Sequence, residues 1–277
     1  GFAFGHLQGV ARLLPWAIEE KELGKDMYQF FIEDENAAED FVTIEGSDVN
    51  HIKNVLRMKP GEKIRVCTRN GQNYFCSISD ITESFVRADI LEKEAESTEL
   101  PCRIYLFQGL PKNDKMEWII QKTVELGVYE VIPVAMKNCV VKLDDKKAKS
   151  KVTRWQAIAE SAAKQSKRSL IPEVKMPMSY KEAVAYAKKL DVKLVPYENE
   201  HGMAGTKAAM EQIKKGESIA VFIGPEGGFA PEEIEMVRDE MQLISLGRRI
   251  LRTETAGIAA LAILGYQLES QTDGRDE

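Results

Sequence analysis

From residue 102 onward, apolar runs about as long as one buried strand alternate with stretches whose apolar residues recur every three or four positions. RIYLFQG, VYEVIPV, VKLVPY, SIAVFIG and QLISLG are predicted strands. NDKMEWIIQKTVEL, KVTRWQAIAESAAKQ, SYKEAVAYAKKL, PEEIEMVRDEM and TETAGIAALAILGYQLE are predicted helices. A continuously apolar strand must be covered on both faces, and strands separated by helices run parallel, so this alternation predicts an α/β fold with helices over a parallel sheet. Such sheets bind ligands outside the carboxyl ends of their strands. Any site should therefore be sought in the loops that follow those strands.

Residues 27–92 read differently. YQFFI, FVTI, KIRVCT, YFCSI and FVRADI are short and rich in β-branched and aromatic residues, and Asn70-Gly71 between two of them signals a tight hairpin. SDVNHIKNVLRM is predicted to be a helix, with Ser47 as N-cap and Ile52, Val55 and Leu56 on one face. A small barrel-like β domain follows. The charged segment EKEAESTELP marks the boundary, so the expected domains are 27–97 and 98–277. Residues 1–26 contain no Met and no basic region ahead of an apolar stretch and a small-residue cleavage site, so we expect an appended or upstream extension rather than a secretory signal.

With 44% hydrophobic and 30% charged residues, the chain has the composition of a soluble globular protein. Its longest nearly uncharged apolar run, 256–268, is shorter than the roughly 20 residues a bilayer span requires. Cys67, Cys76, Cys102 and Cys139 form no CxxC pair and none lies at metal-ligand spacing from His6, His51 or His201. Neither a metal site nor a disulfide framework is expected, and the thiols read as reduced packing residues in a cytoplasmic protein.

The sharpest motif is SIAVFI-GPEGGF-APEEIE. Here a buried strand enters Gly224, Pro225, Glu226, Gly227 and Gly228, and a helix starts at Pro231 with Glu232 and Glu233 in its first turn. Glycines let backbone approach a ligand closely. Neither a P-loop lysine nor the G-x-G-x-x-G spacing is present, and two carboxylates in the opening turn oppose a docked phosphate, so a neutral or cationic ligand fits better than a nucleoside triphosphate. An ordinary glycine-rich connection has the same spacing. The second motif, LGRRILRTETAG, joins the last strand to the last helix and places Arg248, Arg249, Arg252 and Glu254 among apolar residues. Arginine beside a carboxylate also describes a structural ion pair, yet two such loops at neighbouring strand ends point to a shared pocket.

Charge supplies a third signal. The chain has a net charge of −6, but residues 137–175 hold eleven basic side chains against four acidic ones, and 53–69 hold six against one. Solvated faces carry such runs, and so do phosphate-backbone footprints. His51 and His201 read as surface residues rather than bases, and Trp118 and Trp155 as core rather than stacking platforms.

Together HIKNVLRMKPGEKI, QGLPKNDKMEWIIQKTVELGV, VVKLDDKKAKSKVTRWQAIAESAAKQSKR, IGPEGGF and LGRRILRTETA resemble the RsmE family, the uridine-N3 methyltransferases of small-subunit (16S) ribosomal RNA within the SPOUT superfamily. The likeness runs from residue 27 to about residue 269, with five motifs in the family's order. It implies a PUA-like β-barrel domain followed by a SPOUT α/β domain with a C-terminal trefoil knot, acting as a homodimer without metal or membrane. It also implies S-adenosylmethionine (SAM) as cofactor, held by three loops. These contain Leu194, Val195, Pro196, Tyr197 and Glu198; Gly224, Pro225, Glu226, Gly227 and Gly228; and Leu246, Gly247, Ile250, Leu251, Arg252, Thr253 and Thr255. Lys53, Arg57, Lys59, Lys112, Lys115, Gln165 and Arg168 are the residues expected on RNA. Asn50-His51 stands where many members pair two histidines, and Gln29 where the opening strand often has Arg, which argues against direct catalysis by the first domain.

Uridine N3 must lose its proton before or during attack, and the resulting negative charge spreads onto the uracil oxygens, where a cation helps. Arg252 is the expected cation, with Glu226 or Glu254 orienting groups or accepting the proton. Rival readings are a SPOUT enzyme acting elsewhere, such as on a ribose 2′-hydroxyl of transfer RNA, and a non-catalytic RNA-binding assembly factor.

Overall fold

The computed structural model describes residues 27–94, 97–200 and 202–273. The expectations for residues 1–26 and for His201 fall outside them. Among the described residues two compact units are present, one built from residues 27–68 and 72–94, the other from residues 69–71 and from 97 onward. Among the described residues, no helix is long and apolar enough to cross a membrane, and no group of His, Cys, Asp and Glu could hold a metal ion.

The first unit contains β1 (Gln29–Ile32), β2 (Phe41–Glu45), the helical turn α1 (Ser47–Asn50), β3 (Lys63–Thr68), β4 (Asn73–Ile81) and β5 (Phe85–Glu94). The strands form one curled sheet in the order β1-β3-β4-β5-β2. It wraps around Ile44, Ile52, Ile64, Val66, Ile78 and Val86, all buried. Gly71, at φ 85°, makes the tight turn between β3 and β4 that Asn70-Gly71 predicts.

The single helix expected after β2 is not what forms. Gly46, at φ 71°, is the N-cap, and Ser47 is already helical without a capping bond. From His51 to Val55 the winding widens to a π turn in which the Leu56 N–H donates to the His51 carbonyl at 2.9 Å. An extra residue in the turn rotates the apolar stripe. Ile52 and Met58 therefore face the core while Val55 is left 61% exposed.

The second unit holds seven strands, β6 (Arg103–Gly109), β7 (Val128–Ala135), β8 (Glu173–Val174), β9 (Met178–Ser179), β10 (Val192–Pro196), β11 (Ser218–Ile223) and β12 (Gln242–Ile244). All pair in parallel, in the order β12-β10-β11-β6-β7-β8, with β9 also on β7. The helices are α2 (Lys115–Glu125), α3 (Asp145–Gln165), α4 (Tyr180–Ala187), α5 (Ala204–Glu211), α6 (Pro231–Val237) and α7 (Thr253–Asp273). At the centre the ring of Phe107 stacks on that of Phe222, centroids 4.4 Å apart, as two adjacent parallel strands dictate.

Neither α5 nor the two-residue strands β8 and β9 were predictable, because α5 is a short helix with Gly205 in its first turn and short strands have no period. Trp155 is buried as expected, but Trp118 is 52% exposed. It lies off the α2 stripe of Met116, Ile119, Ile120 and Val124, and the Lys122 ammonium sits 5.1 Å from its ring centroid.

After β12, at the sheet edge, residues 245–252 lead back to the middle, where α7 packs on α2, β6 and β11. The Thr206 hydroxyl on α5 fixes the start of the return, donating to the Ser245 carbonyl and accepting its N–H, both at 2.9 Å.

Candidate active site

The loops that follow β10, β11 and β12, with Lys115 and the start of α7, enclose one cavity of about 630 Å3. Its shape depends on close backbone contact. A Cβ on Gly109 would lie 2.7 Å from both the backbone nitrogen and the Cδ of Pro225, so only glycine lets the end of β6 meet the glycine loop. Gly228 turns that loop at φ 66°. The Asn138 amide then locks it, donating to the carbonyls of Gly227 at 3.0 Å and Gly228 at 3.2 Å.

Buried Gln108 ties the third loop to the second. Its Nε2 donates to the Thr253 hydroxyl at 2.9 Å, and that hydroxyl donates to the Gly224 carbonyl at 2.6 Å. The first residue of α7 is thus clamped to the last residue before the glycine turn. At the start of α6 the buried Glu233 carboxylate accepts the N–H groups of Ala230 and Lys137, both at 2.8 Å, while Glu232 pairs with the Lys137 ammonium. The two acidic residues of that turn are therefore occupied as cap and ion pair.

One ammonium joins three segments. Lys115 Nζ lies 3.0 Å from Glu226 and 3.3 Å from Glu254, and the Lys112 N–H donates to Glu226 at 3.0 Å. Burial works against the Glu226 charge, but the Lys112 N–H and the Lys115 ammonium outweigh it and hold the carboxyl below its ordinary range. The hydrogen bond that Lys115 donates to Glu226 in turn raises the lysine, against desolvation and with help from Glu254. Among the described residues no carboxylate pairs with Arg252, whose exposed side chain lines the cavity with those of Arg248 and Arg249.

The three expected loops do converge here. Pro196, Tyr197 and Glu198 line the cavity with Gly224, Pro225, Glu226 and Gly228, and with Leu246, Gly247, Ile250, Leu251, Arg252 and Thr253. Leu194 and Val195 do not, because both are fully buried below the rim of the sheet. Gly227 faces Asn138 instead, and Thr255 points away on α7. Ile223 and Phe229 of the first motif and Ala256 of the second, none of them among the expected cofactor contacts, supply apolar wall.

The basic residues expected on RNA separate into two kinds. Arg168 is a correction, since it is 3% exposed, paired with Glu99, and donates to the carbonyls of Val124 at 3.1 Å and Val128 at 2.6 Å. A guanidinium with its donors spent on buried acceptors ties α2 to β7 and cannot reach a phosphate. Lys115 is likewise engaged, whereas the Lys112 side chain and Gln165 are exposed. In the first unit Lys53 pairs with Glu83, and Arg57 and Lys59 are exposed.

Known proteins agree with this arrangement. Residues 98–265 match the RNA methyltransferase domain family and residues 44–91 the RNA methyltransferase PUA domain family. The ribosomal RNA small subunit methyltransferase E of Bacillus subtilis is 39% identical over 231 residues, covering 82% of this chain and 90% of that protein. That of Mesomycoplasma hyopneumoniae is 36% identical, covering 85% and 97%. The crystal structure of the Neisseria gonorrhoeae enzyme, bound to SAM, superposes with a TM-score of 0.74 at 32% identity, covering 87% of this chain and 98% of that one. With both domains matched in order and the strand-end cavity in place, the chain belongs to the RsmE family of SPOUT RNA methyltransferases.

Proposed function

We propose that this protein methylates N3 of a uridine in small-subunit ribosomal RNA, using SAM. The observation that carries the reading is the glycine-walled cavity at the strand ends, flanked by an uncommitted arginine and a clamped lysine. The cofactor fits the residues present. A volume of about 630 Å3 lies within the range of small-molecule sites, Gly224, Gly228 and Gly247 leave backbone uncovered for polar contacts, and Phe229 and Leu251 offer apolar wall. Glu198 and Glu200 place negative charge on the same wall for a cationic ligand.

SAM supplies an electrophilic methyl group on a positively charged sulfur. Arg252 favours the uracil anion by putting a cation where charge collects. Glu226, held below the ordinary carboxyl range, is a poor base, so its part is to orient Lys115 and fix the glycine loop. Clamped from both sides, Lys115 keeps its charge and position through the reaction.

The assay is methyl transfer from labelled SAM to small ribosomal subunits that lack the modification, followed by nucleoside analysis. Labelled 3-methyluridine is expected. A 2′-O-methyl nucleoside would reject the assigned position, and RNA binding without cofactor binding would reject catalysis. Arg252→Ala should lower turnover more than it weakens the Kd for SAM. A homodimer is supported by α7, whose Leu261, Leu264 and Leu268 face the core while Ala262 and the 76% exposed Tyr266 present an apolar outer face. Light scattering at twice the chain mass is the expected result.

A further inference from the structure

A second cavity, of about 180 Å3, lies on the other side of the first turn of α2. Lys115 lines the first cavity, while its neighbours Asp114 and Met116 line this one. The walls are apolar, made by Leu110, Met116, Val141, Leu143 and Trp155. The rim is polar, with the Asn113 amide, the Asp114 carboxylate and the Lys151 ammonium. Drug-sized ligands need roughly 300 Å3 or more, so this volume suits one planar ring.

Three features identify the ring. Asn113, at φ 57°, takes the left-handed conformation that asparagine adopts more readily than most residues, and it lies on the rim with Asp114. Val140, the chain neighbour of the lining residue Val141, is 68% exposed in a loop with no helix or strand. Basic side chains of α3 stand next to the cavity. Lys151 is only 4.0 Å from Asp114, and Lys146 and Lys149 are exposed with no acidic partner among the described residues. An apolar slot with hydrogen-bonding groups at its edge and cations beside it matches the chemistry of a splayed-out base on a phosphate backbone.

We propose that this cavity is a subsite for one unstacked base flanking the target uridine; the proposal rests on the RNA methyltransferase reading above. Asn113 and Asp114 read the edge of the base, the apolar walls hold its faces, and Lys146 and Lys149 neutralise the adjoining phosphates.

The test uses the full chain with two variants. Asn113→Gly removes the amide and relieves the left-handed strain, so the fold should be as stable as before or more so. Val141→Trp fills the slot from its half-buried mouth. For both, the KM for small subunits should rise about tenfold with the Kd for SAM unchanged, and the Kd for protein-free 16S RNA should weaken similarly. The slope of log Kd against log salt should stay the same, because no phosphate contact is lost, whereas Lys146→Gln with Lys149→Gln should flatten it. Wild-type KM and RNA affinity in both variants would overturn the subsite while leaving the methyltransferase intact. A loss on subunits without a loss on protein-free RNA would assign the slot to a ribosomal protein, and an equal loss of SAM affinity would mark a merely structural effect; either overturns the proposal. Failure of the wild-type chain to form 3-methyluridine would instead remove the reading on which the subsite rests.

Discussion

Arg168 and Glu226 show how far a charged residue's surroundings, rather than its type, decide its role. Arg168 sits in a strongly basic stretch, yet its donors end on Glu99 and two buried carbonyls. Arg168→Ala should destabilise the protein by about 3 kcal/mol in chemical denaturation, because it strands a carboxylate and two acceptors. RNA affinity, measured where the variant is still folded, should not change. Glu226 has a pKa lower in the folded chain than its ordinary 4.5, so its contribution is complete above that value and disappears as pH falls through the lower, folded one. Melting curves of wild type and Glu226→Gln should differ by under about 1 kcal/mol near neutrality and converge in acid. A gap that widens in acid would refute the assignment. Neither environment was visible locally, since Glu99 lies 69 residues from Arg168 and Lys112 lies 114 from Glu226.

At the scale of elements, the strands and the main helices of the second unit were legible because buried parallel strands are apolar throughout and the helices carry their own period. The glycine and arginine loops were legible for a related reason, being unusual residues at the ends of recognisable strands. What holds those loops was not. Asn138 reaches Gly227 across 89 residues, and Gln108 reaches Thr253 across 145. An asparagine and a glutamine without local context announce nothing. Local pattern also misread the α1 region, where a π turn broke the assumed period. Gly109 offers the sharpest test of the packing at the site. Gly109→Ala forces a Cβ to within 2.7 Å of Pro225 and should lower stability by about 2 kcal/mol. The Kd for SAM should rise severalfold by calorimetry, since the glycine loop must shift, and an unchanged melting curve and Kd would show that the loop yields without consequence.

For the whole molecule, the division into a β unit and an α/β unit was readable from the change of hydrophobic period near residue 100, whereas the strand order was not. β11 lies between β6 and β10 through tertiary pairing alone, and no composition or period encodes which buried strand takes which neighbour. The order has a consequence in time as well as space. The cavity needs Thr253 against Gly224 and Gln108, so it cannot exist until α7 has been made and drawn back to the centre of the sheet. Contacts between distant parts of a chain form slowly. Refolding followed by recovered SAM binding should therefore lag behind recovered helix signal in circular dichroism, and equal rates would show that the return of α7 is not limiting. During synthesis the same order works as a safeguard, because a nascent chain that stops short of α7 has the glycine loop but nothing to clamp it, and no catalyst is born before that helix is.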